Sequence, residues 1–187
     1  ISVAASAGDS GPGPTTMGHL APWVSSTASA QHGRGDFVVV LQVTGPQPVP
    51  EALAAIEMNP GSNGVEQQAA IPPQTPLRVS PGIDSVDDAC AAYPAGAFAG
   101  AIAVVRRGTC SFSIKVDNAA AAGAVAVIVA NNAAGAIIPS VPGTTVPAFG
   151  MLQADADALR DFAAANPAVT AGIPYPAILL GNRPDVL

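Results

Sequence analysis

Gly100–Asn132 reads GAIAVVRRGTCSFSIKVDNAAAAGAVAVIVANN, and the spacing of its apolar residues decides the fold. GAIAVVRRG carries an unbroken apolar run that ends in two arginines, and AVAVIVANN carries another that ends in two asparagines. Short continuous runs of this kind predict strands buried on both faces. Between them TCSFSIKVDNAAAAG places Phe112, Val116 and Ala119 or Ala120 at helical spacing, and Gly123 stands where a left-handed C-terminal cap belongs. Strand, helix and strand with short links make a βαβ unit, whose crossover is right-handed.

Working outward, VPAFGM predicts a third short strand. LQADADALRDFAAANP predicts an amphipathic helix with Leu152, Ala156, Leu159, Phe162 and Ala163 on one face and acids near its start, where the helix dipole favours them. VTAGI predicts a further strand. Upstream, IDSVDDACAAYP predicts a short helix with Asp84 or Ser85 as N-cap. Thr44–Pro81 is dominated by Pro, Gly, Gln and Asn, with PEALAAIEM as a short helix and PLRV as a strand. ISVAASAG and FVVVLQV, bounded by Gly, Pro and Asp clusters, predict two more strands.

The chain's 187 residues suffice for one domain, or one domain and a smaller piece. Seven basic residues and a formal net charge of −6 argue against a nucleic-acid partner. The longest apolar run, Ala119–Ala130, is too short and too rich in Ala and Gly to span a bilayer. Position 1 is not Met, and the chain reads as cut from something longer. Cys90 and Cys110, twenty positions apart without further Cys or a nearby His, lack zinc-ligand spacing. A single structural disulfide is expected of them, and with it an oxidising compartment.

Residues 100–132 resemble the core of the protease-associated (PA) domain. The matching positions are Arg107, Gly108, Cys110, Phe112, Lys115, Asn118, Ala119, Gly123, Ala124 and Asn131, followed by VPAF at 146–149. The resemblance implies an α+β, mainly β fold, a sandwich or open barrel with short flanking helices. AASAGDSGPGP followed by APWV resembles a stretch of the subtilisin-like serine proteases, which often carry a PA domain after it. That implies a segment 1–45 of catalytic-domain origin, a PA domain over 46–178 and a return linker over 179–187.

The string GDSGP also matches the setting of a chymotrypsin-like nucleophile. Such a serine needs its His and Asp upstream, and only nine residues precede Ser10. In the subtilisin-like alignment Asp9 instead takes the place of the oxyanion-hole Asn, where an ionised carboxylate opposes the charge that the Asn would stabilise. The Asp-x-Gly, HGT and GTS elements of that family are not present, so catalysis is assigned to no residue of this chain. RGD at 34–36 reads as a chance tripeptide. His19 and His32 read as surface residues and Asp84, Asp87 and Asp88 as helix-start acids, so neither a metal nor another cofactor is expected.

Arg106, Arg107, Lys115, Asn131 and Asn132 gather around one strand end and the next helix. Two readings stand for them, a solvated surface and a groove that receives an extended peptide. The whole reads as the non-catalytic segment of a secreted subtilisin-like endopeptidase, which binds part of a polypeptide substrate, shapes its access or mediates self-association. Residues 1–8 and 22–30 would be interior strands of a parallel sheet, so pairing onto the PA domain or with a second copy is expected of them. The alternative is a free-standing PA-type binding module, such as a receptor or cargo ectodomain.

Overall fold

The computed structural model describes residues 3–6, 21–27, 37–80 and 87–179. The chain divides into a small unit, Ile1–Asp36 with Gly181–Leu187, and a larger one, Phe37–Leu180. In the small unit β1 (Val3–Ser6) and β2 (Val24–Thr27) pair in parallel, with Val3 opposite Val24 and Ser6 opposite Thr27. Asp9, Ser10, His19, His32 and the RGD tripeptide lie outside the described residues, as do Asp84 and Ser85.

The larger unit begins with β3 (Phe37–Gly45), a single 3-10 turn (Glu51–Leu53), β4 (Ile56–Pro60) and β5 (Ile71–Val79). Then come β6 (Ile102–Arg106), α1 (Phe112–Ala121), β7 (Ala126–Ala130) and β8 (Ala148–Met151). It ends with α2 (Gln153–Ala165), β9 (Thr170–Ile173) and β10 (Ile178–Leu179). The strand order is β10-β3-β4-β8-β7-β6-β5-β9, and β9 pairs with β3 as well as β5. That extra pairing, Gln42 opposite Gly172 and Val43 opposite Ala171, closes the sheet into a barrel and leaves it no open edge at this seam. β5 to β8 run parallel, with the βαβ unit forming the β6–α1–β7 wall.

β6 and β7 are apolar throughout because both of their faces are covered. Ile102, Val104, Ala126, Ile128 and Ala130 point into the barrel with Leu41, Met58 and Phe149. Ala103, Val105, Val127 and Val129 point outward into a second cluster with Val116 and Ala119 of α1 and Ala122 just beyond it. Each fully buried Val or Ile contributes roughly 1.5–3 kcal/mol. α1 starts at Ser111, whose Oγ accepts from the Ile114 N–H at 3.4 Å, and ends before Gly123 at φ +98°. Ala156 and Leu159 of α2 and Leu53 of the 3-10 turn join the interior cluster where β8 ends and β4 begins, and so close that end of the barrel.

Three expectations change. PEALAAIEM is only briefly helical, because Ile56 and Met58 alternate into the barrel and strand pairing with β3 overrides local propensity. The strand predicted at PLRV extends back to Ile71, with Pro72 and Pro73 accommodated in an irregularity between Ile71 and Thr75 where the ladder to β9 shifts register. The described part of IDSVDDACAAYP is not helical. Asp87 and Ala89 have φ of 61° and 57°, in the left-handed region that breaks a helix. Phe37–Gly45 supplies a strand of the barrel that pairs with β4, β9 and β10.

Candidate functional site

β6 ends at Arg106, and the side chains of Arg106 and Arg107 emerge at its carboxyl end. The Arg106 N–H donates to Asp87 O at 2.8 Å and the Arg107 N–H to Ala130 O at 2.8 Å. Both side chains are exposed. Arg107 Nη1 donates to Asn131 Oδ1 at 3.1 Å, which also accepts from the Asn132 N–H at 3.0 Å. Asn131 Nδ2 donates to Gly135 O at 2.8 Å, and Asn132 Nδ2 donates to Arg107 O at 3.2 Å. The two loops that follow β6 and β7 are thereby fastened to each other. Arg106, Arg107 and Asn132 line an open depression of about 980 Å³ together with Asp87, Asp88 and Cys90.

Cys90 and Cys110 are joined in a disulfide with a Cα separation of 5.7 Å, as expected. Lys115 lies behind it and is wholly buried. Its ammonium donates to Asp88 O and, at 3.2 Å, to Cys90 Sγ, and it lies 4.0 Å from Asp88 Oδ2. Asn118 Nδ2 donates to Ala89 O at 2.9 Å. Gly108 is held to glycine by proximity, since a Cβ there would lie 2.5 Å from Asp88 Oδ2. Gly108, Cys110, Lys115 and Asn118 therefore converge on the same short segment, Asp88–Cys90, and fix it against α1.

Lys115 and Asn131 are buried and do not line this depression. Lys115 has no exposed area and its donors are used internally, while Asn131 is 4% exposed and braces Arg107. Arg106, Arg107 and Asn132 are brought together at the surface. The sequence carried a signal for Lys115: it is three residues from Phe112 and four from Ala119, on the face of α1 that packs inward.

Asp155, in the first turn of α2, is the acid whose carboxyl is pushed above its ordinary range, by burial. Among the described residues no group of three or more His, Cys, Asp or Glu stands in a metal-binding arrangement. A second opening, which sequence reasoning did not anticipate, is an apolar cavity of about 300 Å³ lined by Val39, Pro60, Val65, Phe149 and Tyr175, with Glu66 on its rim.

The larger unit is a barrel built around a βαβ unit, with the loop after its first strand fixed by glycine, disulfide and buried lysine. Residues 74–159 match the family model of the PA domain. The chain is 43% identical over 60 residues to the Minor extracellular protease Vpr of Bacillus subtilis (strain 168), an alignment covering 32% of this chain and 7% of that protein. Its fold is similar to an aminopeptidase from Aneurinibacillus sp. strain AM-1, at 23% identity and TM-score 0.51 over 76% of this chain and 30% of that one. It is similar as well to a peptidase M28 precursor from Shewanella amazonensis SB2B, at 18% identity and TM-score 0.51 over 79% of this chain and 36% of that one. In each case the chain spans a minor part of its relative's length.

Proposed function

We propose that this chain is a non-catalytic, polypeptide-binding segment of an extracellular subtilisin-like serine endopeptidase. The observation that carries the binding role is the pair of exposed guanidinium groups, Arg106 and Arg107, beside Asn132 on an open depression whose walls are fixed from behind. Guanidinium groups donate in a planar fork to carboxylate and carbonyl oxygens, which an extended polypeptide supplies along its backbone and at its acidic side chains. Loops held in place before binding lose little entropy on complex formation.

The protease context is supported by the local identity to an extracellular protease and by the AASAGDSGPGP…APWV stretch. The parallel pairing of β1 with β2 fits strands drawn from a parallel sheet. The disulfide fits an oxidising compartment.

Fluorescence anisotropy of labelled, unfolded casein fragments tests the binding role. The wild-type chain is expected to raise the anisotropy in a saturable, salt-sensitive way, and R106A/R107A to weaken the complex by at least about tenfold, roughly 1.4 kcal/mol. Equal binding by the double variant, with its fold intact by circular dichroism, overturns the assignment of this depression.

A further inference from the structure

α2 and the 3-10 turn stopper one end of the barrel, where β8 ends, β4 begins and β9 begins. The apolar cavity is formed at the opposite end, by Val39 near the start of β3, Pro60 at the end of β4, Phe149 near the start of β8, and Tyr175 beyond β9. Phe149 belongs to the interior cluster and Val39 packs against it, so the cavity is the barrel's open mouth. Barrel mouths are recurrent binding positions.

The rim is built in advance. The Gly61 N–H donates to Ala148 O at 2.7 Å, the Ser62 N–H to Pro139 O at 2.9 Å and the Val141 N–H to Ser62 O at 2.9 Å. Gln67 Nε2 lies within 3.2 Å of Ala69 O, Ile173 O and Pro174 O, which fastens the loop after β4 to the end of β9. A Cβ on Gly61 would come 2.9 Å from Ala148 O, so the loop lies tight against β8. Tyr175 and Val65 remain exposed at the lip.

We infer that this mouth is a second polypeptide subsite, which takes one apolar side chain followed by a basic residue. The volume of about 300 Å³ is at the lower limit of ligand pockets and suits a single large side chain. Glu66 is the charged residue of the lining, which contains no Lys, Arg or His, so the rim complements a cation next to the apolar anchor. The inference rests on the reading of the chain as a polypeptide-binding module and places a second anchor on it, apart from the Arg106–Arg107 depression.

Titrating the isotopically labelled full chain with capped hexapeptides, followed by amide shifts, tests it. GGFKGG is expected to shift Val65, Glu66, Gln67 and Tyr175. GGAKGG is expected to bind at least about tenfold more weakly, for loss of the aromatic anchor, and GGFEGG about threefold more weakly, for the reversed rim charge. E66Q, a surface change, should bind GGFKGG and GGFEGG alike. GGAKGG binding as well as GGFKGG overturns the inference. Shifts confined to Arg106–Thr109 and Asn132 overturn it and leave the first reading intact, whereas no shift anywhere with these peptides or with casein fragments overturns both.

Discussion

Lys115→Met separates a buried structural cation from a surface one. Methionine keeps most of the length of the side chain and its packing against Asp88–Cys90 while removing the ammonium. In the native chain that ammonium serves Asp88 O and Cys90 Sγ and stands 4.0 Å from Asp88 Oδ2, with the Asp88 side chain only 11% exposed. Breaking a buried pair from one side typically costs about 3–5 kcal/mol. Asp88 retains two partners, the Cys90 N–H at 3.1 Å and Thr109 Oγ1 at 3.5 Å, which places the expected loss near the lower figure, about 3 kcal/mol. For a chain of this size that is a fall in Tm of about 9 °C. Urea unfolding followed by far-ultraviolet circular dichroism measures it, and the companion variants D88N and D88N/K115M close a double-mutant cycle. The cycle should give a coupling above about 1 kcal/mol, with the double variant more stable than additivity allows. A loss for K115M within about 0.5 kcal/mol of zero, as for a solvated lysine, would refute the reasoning.

Replacing Cys90 and Cys110 together by Ser should lower stability by about 3 kcal/mol through release of the closed loop, and thiol titration of the unfolded, unreduced wild type should find no free sulfhydryl. Gly150→Ala forces a Cβ to 2.1 Å from Ile137 O, so a loss of about 3 kcal/mol in urea unfolding is expected, and a neutral result would mean that the β8 backbone sits elsewhere. Burial raises the carboxyl of Asp155 in the native state, so its contribution is present while the group is protonated and is lost as pH rises through the native pKa. Asp155→Asn should flatten that fall in the urea midpoint as pH rises above the ordinary Asp value of about 3.9, and a fall unchanged in the variant would count against it. β1 and β2 form a two-stranded sheet with Trp23 exposed beside it, and self-association through these strands is expected. Sedimentation should show mass rising with concentration as Trp23 emission shifts to the blue, and a monomer with constant emission throughout would contradict it.

The β6–α1–β7 unit was legible because each of its signals is local. Continuous apolar runs mark strands covered on both faces, Ser111 and Gly123 punctuate the helix, and the resemblance to PA domains rests on those same residues. Closure of the barrel was not legible, since β9 pairs with both β5 and β3 across more than ninety residues of chain and no periodicity encodes such a partner. The segment Asp87–Cys90 was misread for a related reason. Its Asp-rich, Ala-rich text favours a helix start, while the disulfide and the Lys115 and Asn118 contacts hold it in a left-handed turn. Of the five polar residues grouped from sequence, Arg106 at the end of β6 and Arg107 and Asn132 in the loops beyond reached the surface. Lys115, on the packed face of α1, and Asn131, directly after the buried β7, did not, because their polar ends found partners inside the protein.

Binding of polypeptide without cleavage is the function proposed for this chain. Incubating the purified chain with an unfolded, reduced and alkylated protein, and following in one sample the bound fraction by sedimentation and new amino termini by mass spectrometry, tests it most directly. A saturable complex that is weakened in R106A/R107A and generates no new termini is the predicted result. New termini that accumulate with time, or the absence of any complex at chain concentrations up to about 1 mM, where an interaction would be worth only about 4 kcal/mol, would contradict it.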